Sequence, residues 1–144
     1  MWKGKIIECE ECGEMFEMRS INSRHCSDKC MNRAADRKKE LRRRKRLRQN
    51  GKIDYSISLT KLIKKYNSKC QICGGLINEQ DYIEDSNGNF IVGESYPTID
   101  HIIPVSKGGT HTWDNVQLAH HYCNSIKNDN IYSTVESNGQ LRII

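Results

Sequence analysis

Seven cysteines constrain this 144-residue chain more than any other feature: Cys9-x2-Cys12, Cys26-x3-Cys30, Cys70-x2-Cys73 and a solitary Cys123. The apolar supply is thin, with a mean hydropathy of −0.75 and 28% charged residues. Small modules with so little core depend on disulfides or bound metal. The opening stretch MWKGKIIECEECG lacks the apolar run of a secretory signal, and no segment approaches a membrane span. A cytoplasmic, reducing location without a membrane partner is therefore expected, and there short-spaced cysteine pairs hold zinc more often than they form disulfides.

Structural zinc takes four ligands in a tetrahedron. Cys9, Cys12, Cys26 and Cys30 supply one full set, with His25 as the alternative to its neighbour Cys26. Ser27 is placed to cap a helix from near Asp28, which sets Cys30 in its first turn. Cys70 and Cys73 need two more ligands, and QLAHHYCNSIKN, residues 117–128, holds Cys123 behind two histidines. His120 gives H-x2-C, matching the gap between Cys70 and Cys73. His121 leaves one residue before Cys123, a harder fit around a tetrahedral ion. Spacing thus favours Cys70, Cys73, His120 and Cys123, with His121 as the alternative. Seven cysteines and one histidine then make two structural Zn2+ sites.

The net charge of +5 conceals a sharp asymmetry. Residues 27–50 carry eleven basic and three acidic side chains, a net +8, whereas residues 61 onward carry seven and nine. The basic run contains no proline and is rich in helix formers, and Gly51 is a plausible stop. About 22 helical residues would span about 33 Å, roughly one turn of duplex DNA. Met31, Ala34, Ala35, Leu41 and Leu47 form no usable apolar stripe, so this helix is expected to be exposed. Arg37, Lys38, Arg42, Arg43, Lys45 and Arg46 are candidate phosphate contacts, supplying affinity without reading sequence. A solvated linker helix is the other reading.

The expected organisation is a zinc module at 1–30, a basic linker helix at 31–52, a second domain at 56–132 and a tail at 133–144. Leu59, Leu62, Ile63 and Tyr66 fall at helical spacing after Ser58, an N-cap residue. DYIEDSNGNFIVGES reads as a hairpin turning at Asn87-Gly88, and ESNGQLRII as part of a second one. Gly108-Gly109 reads as a flexible turn, Trp113 as a packing residue, and His111 as structural or close to substrate. Asp100 and His101 lie on an apparent short strand, and Asn124 directly follows a zinc ligand. A zinc clamp would gather carboxylate, imidazole and carboxamide around one cleft.

The stretch DHIIPVSKGGTHTWDNVQLAHHYCNSIKN resembles the HNH endonucleases, which share the ββα-metal (His-Me finger) fold. Knuckles flanking an Asp-His pair, with Asn after the last zinc cysteine, are similar to endonuclease VII-type phage enzymes. The resemblance covers about residues 58–130, and the N-terminal module resembles zinc modules of phage-encoded HNH proteins. It implies a small α+β fold, an HNH core preceded by the four-cysteine module and basic helix. It implies an enzyme that hydrolyses DNA phosphodiester bonds. His101 would be the general base, Asp100 and Asn124 the ligands of one catalytic Mg2+ or Mn2+, and Asn115 the residue orienting His101. Lys107 and Lys127 would contact phosphate. Two departures stand out: Asn124 replaces the final histidine of some members, and His120 replaces a zinc cysteine. A monomer would nick and a homodimer could cut both strands. The alternative is a non-catalytic, zinc-stabilised nucleic-acid-binding module.

Overall fold

The computed structural model describes residues 4–86, 88–135 and 141–143, with side chains through residue 131. It forms two compact units, Met1–Lys45 and Arg46–Ile144. Among the described residues no helix is long and apolar enough to cross a membrane.

In the first unit, β1 (Ile6–Glu8) pairs antiparallel with β2 (Met15–Glu17), Ile7 opposite Phe16. The connection between them is the first cysteine knuckle. Cys9 N–H donates to Glu14 O at 2.8 Å, and Gly13 N–H donates back to Cys9 O at 2.9 Å. Gly13 takes φ +78° here, a conformation that glycine adopts without the Cβ strain of other residues. Helix α1 (Asp28–Gln49) has the expected 22 residues. It starts at the Ser27 cap, whose Oγ accepts from Cys30 N–H at 3.3 Å. Its basic residues are exposed, as the missing apolar stripe requires. Glu11 pairs with Arg37, and Glu40 accepts from Arg44 at 3.0 Å.

The second unit is built on one hairpin. Strand β5 (Pro97–His101) pairs antiparallel with β6 (Val116–His120) in the register Pro97↔His120, Asp100↔Gln117 and His101↔Val116. Helix α2 (Leu59–Lys65) opens at Ser58, whose side chain accepts from Lys61 N–H, and it buries Leu62 against Val116 and Leu118. Trp113 packs on this core as expected, its indole N–H donating to Ser56 Oγ at 3.1 Å. Strand alternation turns Val116 and Leu118 to α2 and sends Gln117, with its partner Asp100, to the other face. Helix α3 (His121–Lys127) follows β6 without a loop and covers that face, Lys127 bonding to Asp100 and Asn124 to Thr98.

Strands β3 (Tyr82–Glu84) and β4 (Phe90–Val92) form the predicted hairpin. Gly88 takes φ +72°, and Asn87 lies outside the described residues. Strands β7 (Tyr132–Val135) and β8 (Leu141–Ile143) also pair antiparallel, with a register irregularity between Tyr132 and Thr134. Residues 136–140 between them, where the second hairpin is read to turn, lie outside the described residues.

Leu62, Val116 and Leu118 are each fully buried at the centre of an apolar cluster, with Ile57, Leu59, Ile63, Ile99 and Trp113 packed around them. Leu62→Ala is expected to cost about 2–5 kcal/mol, from lost burial and the cavity left behind. Lys64→Ala, on the exposed side of α2, should stay within about 0.5 kcal/mol. Thermal melts in zinc-buffered solution distinguish the two.

Candidate functional site

Two clusters of metal-ligating side chains form, one in each unit: Cys9, Cys12, Cys26 and Cys30, and Cys70, Cys73, His120 and Cys123. Within each, the four ligand atoms lie within 4.8 Å of one another. In the first, Cys26 Sγ is 3.5 Å from Cys12 Sγ and 3.6 Å from Cys30 Sγ. In the second, His120 Nδ1 is 3.3 Å from Cys73 Sγ and 3.7 Å from Cys123 Sγ. A tetrahedral ion with bonds of about 2.3 Å spaces its ligands by about 3.8 Å, so both clusters fit one ion. The soft thiolate-rich donor set suits Zn2+.

The geometry decides between the competing histidines. Cys26 belongs to its cluster and His25 does not; His120 belongs to its cluster and His121 does not. His120 Nε2 lies 2.9 Å from Leu76 O, which takes the ring N–H and leaves the Nδ1 lone pair for the ion. Backbone N–H groups support the sulfurs, Cys26 N–H on Cys9 Sγ and His120 N–H on Cys70 Sγ, each at 3.4 Å. Gly75 allows close approach: a Cβ there would sit 3.1 Å from His120 Cε1 and 3.5 Å from Cys73 Sγ. Burial, and then the charge of Cys70, pushes the Cys123 thiol up. Crowded thiols become thiolates together only when a cation sits among them.

Asp100, His101, Asn115 and Lys127 are the buried polar residues of the described chain. Asp100 Oδ1 accepts from Lys127 Nζ at 2.8 Å, and its Oδ2 accepts from Gln117 Nε2 at 2.8 Å. Lys127 Nζ also donates to His101 O at 2.6 Å. Asn124 lies on α3 against the same strand, its Nδ2 donating to Thr98 Oγ1 at 3.2 Å and Ile99 O at 3.4 Å. His101 ends β5, and its Nε2 is 3.0 Å from His111 Nδ1. The main chain of His111 is itself anchored, since its carbonyl accepts from Asp54 N–H at 2.8 Å.

Asn115 ties together the backbone that carries these two histidines. Its Oδ1 accepts from Ile103 N–H at 2.9 Å, while its Nδ2 donates to Ile103 O at 3.1 Å and Thr110 O at 2.8 Å. Its main-chain carbonyl accepts from Ile102 N–H at 2.9 Å. The Gly108-Gly109 turn is correspondingly fixed. A Cβ on Gly109 would collide with Ile103 O and stand 2.9 Å from Asn115 Nδ2. Asn50 pins the turn from outside, its Nδ2 donating to Val105 O and Gly109 O at 2.9 Å each.

One expectation fails on burial. Lys127, read as a phosphate contact, is 1% exposed, with its ammonium inside the fold. A polar helix end gives no sign of this in sequence; only the docking of α3 on β5 turns Lys127 inward. Lys107 is exposed, as are Arg37, Lys38, Arg42, Arg43, Lys45 and Arg46 on α1. Gln117, Asn50 and the His111–His101 contact were not singled out by sequence reasoning. Gln117 had a usable signal, because alternation from Val116 and Leu118 places it on the Asp100 face.

The ligand geometry generates a direct test. Elemental analysis after dialysis should find about two zinc ions per chain, one for each cluster. His120→Ala should lose one of them, and His121→Ala should keep both. Loss of an outer-shell partner weakens metal binding by about 10–100-fold, so loss of His120 itself should exceed that range.

A search of curated proteins finds no match to this chain. Residues 70–130 match the family model described as HNH endonuclease. That match begins at the first ligand of the second cluster and takes in Asp100, His101, Asn115, Asn124 and Lys127. Over residues 70–130 this chain is thus similar to the HNH endonuclease domain.

Proposed function

We propose that the protein is a metal-dependent endonuclease that hydrolyses DNA phosphodiester bonds. The carrying observation is the coincidence of the family match with the β5–β6–α3 unit, which lines the buried polar residues along one strand and one helix. We read this hairpin and helix as the ββα-metal core. The four-cysteine module at 1–30 and the basic helix over 31–52 precede the nuclease domain at 56–132.

The chain's own residues divide the work. His101 takes a proton from the attacking water, a task suited to an imidazole. Its Nε2 lies 3.0 Å from His111 Nδ1, a contact that restricts the ring plane. Asn115 acts through the backbone, holding the exits of β5 and the His111 loop at a fixed separation.

Asp100 and Asn124 would hold one divalent ion, Mg2+ or Mn2+. Their carboxylate and carboxamide oxygens are the hard donors such ions prefer. Lys127 and Gln117 each occupy one Asp100 oxygen, but a carboxylate oxygen keeps a second lone pair for an ion. When bound, the ion would bind a scissile-phosphate oxygen and stabilise charge on the leaving oxygen. The clusters at Cys9 and Cys70 would hold structural Zn2+. The exposed cations of α1, with Lys107, would supply salt-dependent affinity for the DNA backbone.

A second reading, a non-catalytic zinc-stabilised nucleic-acid-binding module, draws support from the depth of Asp100, which is 2% exposed and ion-paired. Supercoiled plasmid separates the two. Wild-type protein with Mg2+ or Mn2+ should convert it to nicked or linear form. His101→Ala should be slower by on the order of 100-fold or more, the usual worth of a general base. Equal cleavage by both proteins would remove His101 from that role. Binding without cleavage by wild type would favour the second reading.

A further inference from the structure

We infer that Lys127 is a positioning residue, the internal counter-ion that locks Asp100 and the His101 backbone against α3. Its catalytic consequence rests on the nuclease reading; its structural part does not. One ammonium bonds two consecutive residues, the carboxylate of Asp100 at 2.8 Å and the carbonyl of His101 at 2.6 Å. Gln117 completes the clamp on the other Asp100 oxygen at 2.8 Å. Lys127 and Asp100 are 1% and 2% exposed. At such depth neither charge is tolerable alone, so each requires the other.

The route from metal to clamp is short. Cys123 lies in α3 as a ligand of the second cluster, and Lys127 follows four residues later, one helical turn along the same face. The cluster therefore sets the position of α3, and α3 sets the ammonium on β5. The helix ends immediately afterwards at Asn128, which takes φ +50°. A phosphate oxygen has no approach to an ammonium enclosed in this way. The strand residues Asp100 and His101 are held from below by a side chain that never meets the substrate.

The test uses the full zinc-loaded chain and three variants: Lys127→Met, Asp100→Asn and the double change. For Lys127→Met the expected result is two retained zinc ions and a kcat on plasmid DNA lowered on the order of 100-fold, as for a misplaced reacting group. KM should stay within about twofold. Binding of a labelled 20-base-pair duplex, titrated with NaCl without added divalent ion, should keep the wild-type slope of log affinity against log salt. A slope reduced by about 0.9 with kcat retained would overturn the inference, because that is the signature of one lost phosphate contact. If Lys127→Met melts or sheds zinc, the double variant decides. A counter-ion role requires it to melt above Lys127→Met, since both charges are then gone. A double variant no more stable than that single overturns the inference. Should wild type leave plasmid intact, the nuclease reading falls, and the same melting comparison still judges the ion pair.

Discussion

The second cluster of ligating side chains is the constraint on which the HNH-matching segment hangs. Its ligands come from a knuckle at Cys70 and Cys73 and from the junction of β6 with α3, at His120 and Cys123. Among the described residues, the fully buried apolar side chains of this unit are few, Leu62, Val116, Leu118 and Ala119, with Cys70 and Ile72 buried at the cluster itself. A tetrahedral ion held there would fix four side chains at once and add order to that small core. Because β6 passes into α3 without a loop, the same ligands orient strand and helix together. Thr98, Asp100 and the helix residues Asn124 and Lys127 are brought into contact through that junction.

Charge is handled differently on the surface and inside. The basic residues of α1 remain exposed, where interactions with a polyanion are long-ranged and salt-sensitive. Lys127 is withdrawn from solvent and spends its charge on one carboxylate. A buried pair of this kind adds little net stability over an apolar pair of similar volume, yet breaking it on one side is strongly unfavourable. Its value is geometric. Between them, Lys127, Gln117 and Asn115 fix the end of β5 and the backbone beyond it.

Most of the local structure was legible. The α1 length, the Ser27 and Ser58 caps, the α2 helix and the β3–β4 hairpin follow from short-range chemistry. Both ligand sets were also legible, because knuckle spacing leaves few ways to surround a tetrahedral ion. The environment of the candidate catalytic residues was less so. His101 and His111 are ten residues apart, and Lys127 and Asp100 are twenty-seven apart. Neither pairing has a periodicity to announce it.

The sequence by itself narrowed each metal-ligand set to one choice between neighbouring residues, and determined the helix caps and the separation of a basic segment from a polar domain. Each depends on interactions within a few residues or on a count of donors. Only the tertiary structure decided that Lys127 faces inward, that His101 meets His111 and that the Gly108-Gly109 turn is held rather than loose. Those outcomes depend on how α3 and the loop dock on β5. Docking of that kind is set by packing between residues distant along the chain, and short-range preferences do not encode it.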